Sequence, residues 1–346
     1  MGVKLAFALG LALWLSSAAT ARSDAIPPVG VIDFYGLRHI KEDAARASLG
    51  IAIGDSVSQS MVVAATARLS AMPGVEKARL APVCCDEGRI ILYVGIEERG
   101  ATILHFRESP SGTNRLPQDV VRAGAAFDAA FDSAMAHGDF AEDDTAGHQL
   151  LHYPAARAAQ EQFVPLVVRF ASELRHVLRH SANADERARA AQILAYAPDK
   201  HDVIGDLTYA MSDPAPAVRN NAMRGLWLIG MLAQRRPELH LSIPFAPFVD
   251  LLNSPVWTDR NKASAALGPL TEARDPEALA LLKKRALPAL VEMARWKSRG
   301  HAVSPCFILG RVGGLSEREI EDAWEHDDRQ RLIDAALRSE PGSHMR

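Results

Sequence analysis

A short frame returns along the C-terminal half of this chain: arginine, alanine three positions on, leucine four beyond that. It occurs as Arg187, Ala190 and Leu194, then as Arg219, Ala222 and Leu226, then as Arg260, Ala263 and Leu267. A degenerate fourth copy is His301, Ser304 and Ile308. Successive copies lie 32, 41 and 41 residues apart, which is the period of a helical hairpin. The spacing sets all three residues on one helix face, so each copy predicts a helix with a buried stripe. A single hairpin cannot bury that stripe, and stability asks for three or four neighbours in a row. The frame therefore predicts an all-α helical-repeat solenoid over residues 181–337.

The flanks of the copies carry a resemblance. Ser212-Asp213-Pro214 precedes the second copy and Gly230 follows it, while Asn253-Ser254-Pro255 precedes the third and Gly268 follows. In these features the stretch resembles the HEAT-repeat family. That resemblance implies that Asp213 and the repeat arginines Arg187, Arg219 and Arg260 bond between neighbouring hairpins, and that the small residue lets helices cross closely. Upstream, residues 118–180 are alanine-rich and predict an atypical helical cap. Val120, Phe127, Phe131 and Ala134 mark one amphipathic helix ending at His137-Gly138. A second runs from about Ala155 to His180, with Pro165 either kinking it or lying in a tolerant first section.

Residues 29–98 read differently. Val29 to Phe34 is an apolar run with β-branched residues, followed by two short helical stretches and a stop at Pro73-Gly74. Val75 to Val83 and Arg89 to Glu97 then predict two strands joined by a polar turn. Ile90, Leu92, Val94 and Ile96 share one face of the second strand and Ile91 and Tyr93 the other, the pattern of a central strand. The order is β-α-α-β-β, an α+β module. The runs VIDFYGLRHI, GIAIGDSV, ARLSAMPGVEKARL and IILYVGIEE resemble a POTRA domain, and the resemblance implies a module that holds polypeptide partners. One such unit is present and no alternating barrel segment follows it. Its predicted edge strand is Val75 to Val83, where Lys77 and Arg79 discourage aggregation. That edge is the expected protein-binding element, by addition of an extended peptide. Residues 99–117, rich in Gly, Ser, Thr and Pro, predict a linker.

The N-terminus points to export. Lys4 precedes an apolar run from Leu5 to Leu15, and Ala19-Thr20-Ala21 fits the rule for signal peptidase. A signal peptide over residues 1–21 and a periplasmic or otherwise exported product are expected, with no stable membrane span after cleavage. A retained anchor is the alternative, although the run falls short of a span. The formal net charge of −3 leaves no electrostatic footprint for nucleic acid. Three cysteines, Cys84, Cys85 and Cys306, make no disulfide framework. Cys84 and Cys85 form either a vicinal disulfide, a bridge with another chain, or free thiols in a loop.

One segment carries metal-capable chemistry. His148 and His152 stand four apart in His137–His152, beside Glu142, Asp143 and Asp144, and on a helix two such imidazoles can face one ion. Gln149 occupies the place of a zincin glutamate, so no general base is identified. His176 and His180 have the same spacing next to Arg175 and Arg179, which disfavours a divalent ion and predicts a solvated face near a helix C-terminus. No catalytic residue and no cofactor is expected. The sequence thus favours a non-enzymatic scaffold for a protein partner in the cell envelope, with residues 338–346 as a flexible tail. The alternative is a metal-dependent protein using His137–His152.

Overall fold

The structure is a computed structural model describing residues 27–101, 104–139 and 141–338. The signal peptide expected at 1–21 and nearly all of the tail expected at 338–346 lie outside the described residues. In chain order the elements are β1 (Val29–Tyr35), α1 (Glu42–Leu49), α2 (Gln59–Ser70), β2 (Val75–Asp86) and β3 (Arg89–Glu98). Next come α3 (Gln118–His137), β4 (Glu142–Asp143), β5 (Leu150–Leu151), α4 (Pro154–Glu161) and α5 (Phe163–His180). The repeat helices are α6 (Ala184–Leu194), α7 (His201–Ala210), α8 (Pro216–Arg235), α9 (Ala246–Leu251), α10 (Trp257–Leu270), α11 (Pro276–Ala294), α12 (Arg299–Val312), α13 (Glu317–Glu325) and α14 (Arg329–Arg338). The protein is therefore mostly helical, with a small N-terminal sheet. Contacts divide it into two units, one of residues up to Leu104 with Leu252–Asn261 and Arg274 onward, the other of His105–Leu251 with Lys262–Ala273.

The repeat frame is buried in every copy. Arg187, Arg219, Arg260 and His301 are at most 8% exposed, and the alanine or serine and the leucine or isoleucine of each copy are as deeply covered. They occupy equivalent places on α6, α8, α10 and α12. Each repeat arginine also reaches back to the chain ahead of its own helix. Arg187 Nη1 donates to the Ser181 and Ala182 carbonyls, and Arg219 Nη1 to those of Asp213 and Pro214. Arg260 Nε donates to the Ser254 carbonyl. The offset is six residues in all three copies, with five-residue partners in two.

In the sheet-bearing unit the strand order is β1-β3-β2, β1 parallel and β2 antiparallel to β3. The apolar character of both β3 faces correctly put it in the middle. One face, with Ile32, Phe34, Leu92, Val94 and Ile96, forms a core with Ala45 and Leu49 of α1 and Ala65 and Leu69 of α2. Glu98 at the end of β3 accepts from the backbone N–H groups of Arg38, His39 and Ile40 and so fixes the turn between β1 and α1. Burial works to raise its pKa, but those three donors outweigh it and hold the carboxyl below its ordinary value.

The other sheet face corrects the expected domain limits. Residues 29–98 were expected to stand apart, but they group with the C-terminal helices because Tyr35 and Tyr93 need cover. Tyr93 stacks on Trp257 and meets Trp296, each at 4.9 Å between centroids, and its Oη lies 2.7 Å from His301 Nδ1. Tyr35 meets Trp296 edge-on, and its hydroxyl donates to the Pro255 carbonyl. Burial drives both phenol pKa values upward. Asp33 accepts from the Lys297 backbone N–H, and Glu292 accepts from Gly36 N–H while holding Arg260 at 2.7 Å. Within the same unit α11 packs on α12, and α14 packs on both. Cys84 and Cys85, at the far end of β2, are bonded to each other, and Cys306 is a buried free thiol.

In the second unit α5 packs on α6, and α8 on both α6 and α7. The long helix expected from Ala155 to His180 is broken at Gln162 into α4 and α5, which places Pro165 in the first turn of α5, where the lost N–H is free of cost. The stretch expected as a linker is also revised. From His105 it belongs to this unit: Arg107 N–H donates to the Ser212 carbonyl and Ala182 N–H to the Gly112 carbonyl. Gly112 is needed there, because a Cβ would come within 2.4 Å of the His180 carbonyl oxygen.

Candidate functional site: a basic cleft on the repeat unit

The residues singled out at the edge strand and in the histidine segment do not assemble a site. Arg79 is tied across the ladder to Glu97 at 3.1 Å, and Lys77 is exposed. The Ala78 N–H donates to Ser70 Oγ on α2, so position 78 faces out of the ladder. Alternation then places Leu80 and Pro82 outward as well and turns the Lys77 and Arg79 donors inward toward β3. With Ala78 occupied and Pro82 lacking an N–H, the outer edge of β2 has little to offer an added strand.

His148 and His152 do not share a helical face. The chain between them is Gln149 followed by β5, and at a near-extended rise four residues span roughly 13 Å. His148 is buried with Nδ1 3.1 Å from Lys200 Nζ, while His152 is exposed. Burial first, and the Lys200 charge second, press the His148 pKa down to about 4. The neighbouring acids are committed elsewhere. Glu142 pairs with Arg224, Asp143 with Arg157, and Asp144 with Arg235, so they fasten the β4–β5 hairpin to surrounding helices. Among the described residues no three His, Cys, Asp or Glu side chains gather as a metal site.

The feature that does converge is a cleft of about 770 Å³, bordered by the 107–114 stretch, the last turns of α5 and Tyr209 of α7. The guanidinium carbons of Arg107 and Arg179 lie 4.4 and 4.6 Å from the Tyr209 ring centroid. His176 and His180, with rings 4.6 Å apart, line the α5 side rather than an open face. Ser111, Gly112 and Asn114 form the opposite lip, and exposed Glu108 stands on the rim.

Two buried carboxylates organise the arginines. Asp213 accepts both Nε and Nη2 of Arg187, at 2.9 and 2.8 Å, and also Nη2 of Arg107. Asp206 accepts Arg175 Nε at 2.7 Å and Arg179 Nη2 at 2.5 Å. Two anions thus serve four guanidiniums, and the arrangement leaves donors over. Arg107 Nε and Arg179 Nη1 are buried with no acceptor, a condition that costs roughly 1–3 kcal/mol per group. The cleft thus sets guanidinium donors lacking acceptors beside the Tyr209 ring.

No family model matches the chain, and no curated protein matches it. Among solved structures it is similar to the designed armadillo repeat protein YIII(Dq)4CqI, at 15% identity and a TM-score of 0.36, over 53% of this chain and 94% of that one. It is also similar to the designed armadillo repeat protein YIII(Dq.V1)4CPAF, solved in complex with the peptide (KR)4, at 14% identity and the same TM-score, over 54% and 93%.

Proposed function

We propose that this protein is an exported cell-envelope scaffold that holds a protein partner through its helical repeats, with residues 29–98 as a POTRA-like module. The observation that carries this reading is the open basic cleft of the repeat unit, which has binding chemistry and no catalytic set. The β-α-α-β-β order with β3 central supports the POTRA-like assignment. The signal-like segment at 1–21 supports export to the periplasm, and a Cys84–Cys85 disulfide fits an oxidising compartment. The cleft replaces Lys77 and Arg79 as the preferred contact surface, because the edge beside them has few free donors. Among the described residues no helix is long and apolar enough to cross a membrane.

The test is cross-linking in intact cells followed by mass spectrometry. The protein recovered from the envelope is expected to begin at Arg22 and to be linked to one dominant polypeptide. Recovery with Met1 retained in the cytoplasm, or no cross-linked partner, would sink the reading.

A further inference from the structure

The rim, walls and floor of the cleft together limit what can occupy it. It is a shallow depression, largely open to solvent and larger than a lone inorganic anion. One lip, residues 107–114, lies outside helix and strand, and its backbone is held at Arg107 by Ser212 and at Gly112 by Ser181 and Ala182. The floor is an aromatic ring, Tyr209, with a guanidinium of Arg107 and of Arg179 over it. The unsatisfied donors are Arg107 Nε and Arg179 Nη1. Both atoms are shielded from solvent, while the Arg107 and Arg179 side chains keep 17% and 36% of their surface exposed and border the cleft. A guanidinium fork with free N–H groups matches a carboxylate, and charge assistance makes such bonds about twice as strong as neutral ones. The ring beside it suits the apolar or backbone part of a chain.

Resting on the scaffold reading, we infer that this cleft binds an extended acidic segment of the partner, one carboxylate of which docks between Arg107 and Arg179 while the flanking chain crosses Tyr209. Asp206 and Asp213 act as positioning residues: each holds one edge of a guanidinium and so fixes it at the cleft wall. Glu108 lies outside the buried part of the cleft, and its charge disfavours a second acidic residue at that end. The segment therefore carries spaced acids rather than a continuous run.

The probe is a fluorescein-labelled ten-residue peptide of alternating glycine and glutamate, with its glycine–glutamine counterpart, titrated into the chain beginning at Arg22. The glutamate peptide is expected to bind at least tenfold more tightly than the glutamine peptide, and its affinity is expected to fall as salt rises. Arg179→Gln is expected to weaken binding about tenfold. Arg179→Lys, which keeps the charge beside Asp206 but loses the fork, is expected to fall in between, and circular dichroism checks that both variants remain folded. Should Arg179→Gln unfold, the wild-type contrast between the two peptides decides the matter. Equal binding of the two peptides, or no change in folded Arg179→Gln, overturns the proposal. Inorganic phosphate binding where the glutamate peptide does not bind also overturns it, in favour of a small-anion site. A cross-linked envelope partner retained in full by Arg179→Gln overturns the cleft but leaves the scaffold standing. Absence of any envelope partner removes the scaffold, while the peptide titration still decides the cleft.

Discussion

The two units satisfy buried charge in different ways. The sheet-bearing unit buries carboxylates and supplies them with backbone donors: three N–H groups for Glu98 and the Lys297 N–H for Asp33. The repeat unit buries Asp206 and Asp213 as well, yet its buried cations run short of acceptors. Lys200 has the Ala195 carbonyl and the neutral ring of His148, Lys262 is almost fully buried, and the cleft arginines keep spare N–H groups. Backbone N–H groups are fixed in place and cannot leave, so the first solution closes a site. Surplus donors on side chains do the reverse and create demand for an acceptor from outside. A ligand is therefore to be sought on the repeat unit.

Substitutions in each unit put this contrast to the test. The largest effect is expected from Leu226→Asp, because Leu226 is fully covered within the repeat frame. An unpaired charge there should cost upwards of about 4 kcal/mol in denaturant unfolding, and an unchanged midpoint would mean that the frame does not define the core. Next comes a matched pair. Asp213→Asn strips the shared counter-charge from Arg187 and Arg107 and should cost about 3–5 kcal/mol. Glu98→Gln retains an acceptor for its backbone donors and should cost about 1–2 kcal/mol. Equal losses would erase the distinction between the units.

Smaller effects are expected from the buried lysines and from His148. Burial, followed by the Arg224 charge, lowers the Lys262 pKa to about 7, and burial lowers that of Lys200 to about 8. The unfolded chain keeps both protonated up to their ordinary value of 10.5. Between those limits it binds more protons than the folded state, so stability should rise with pH from about 7 to about 10.5. Lys262→Met should raise stability at pH 7 by about 1–4 kcal/mol and flatten most of that rise, leaving the share due to Lys200. His148 adds a slope on the acid side. Its folded pKa of about 4 against an ordinary 6.5 means that stability is lost as pH falls through that interval. His148→Gln should reduce that loss by about 1–2 kcal/mol, read from melting temperatures at pH 7 and pH 4.5.

What was legible in the sequence was whatever repeats or alternates locally. The frame at i, i+3 and i+7 marked a buried stripe because a helix turns at a fixed rate, and the central position of β3 followed from apolar side chains on both its faces. The cleft has no such local signature. Arg107 and Asp213 are 106 positions apart, and the Gly, Ser and Pro of residues 99–117 describe only how the chain bends, not what it touches. Composition therefore read a packed lip as a linker. The histidine pair failed for the converse reason: a helical spacing was present, but Gly147 takes a left-handed φ of 71° and leads into β5 rather than a helix. Tyr93 showed that the second face of β3 needed a cover, and nothing local indicated that Trp257 and Trp296 would supply it.

The grip of each repeat arginine on a carbonyl six residues earlier has a bearing on how such an array can lengthen. Because the helix holds the end of the connection leading into it, the starting geometry of a hairpin is set within about ten residues of chain. It does not depend on how much sequence separates it from the copy before. Insertions between copies are therefore absorbed without disturbing the start of the next helix, which is how spacings of 32 and 41 residues coexist in one chain. The array measures itself from each new beginning, so successive copies need not match in length.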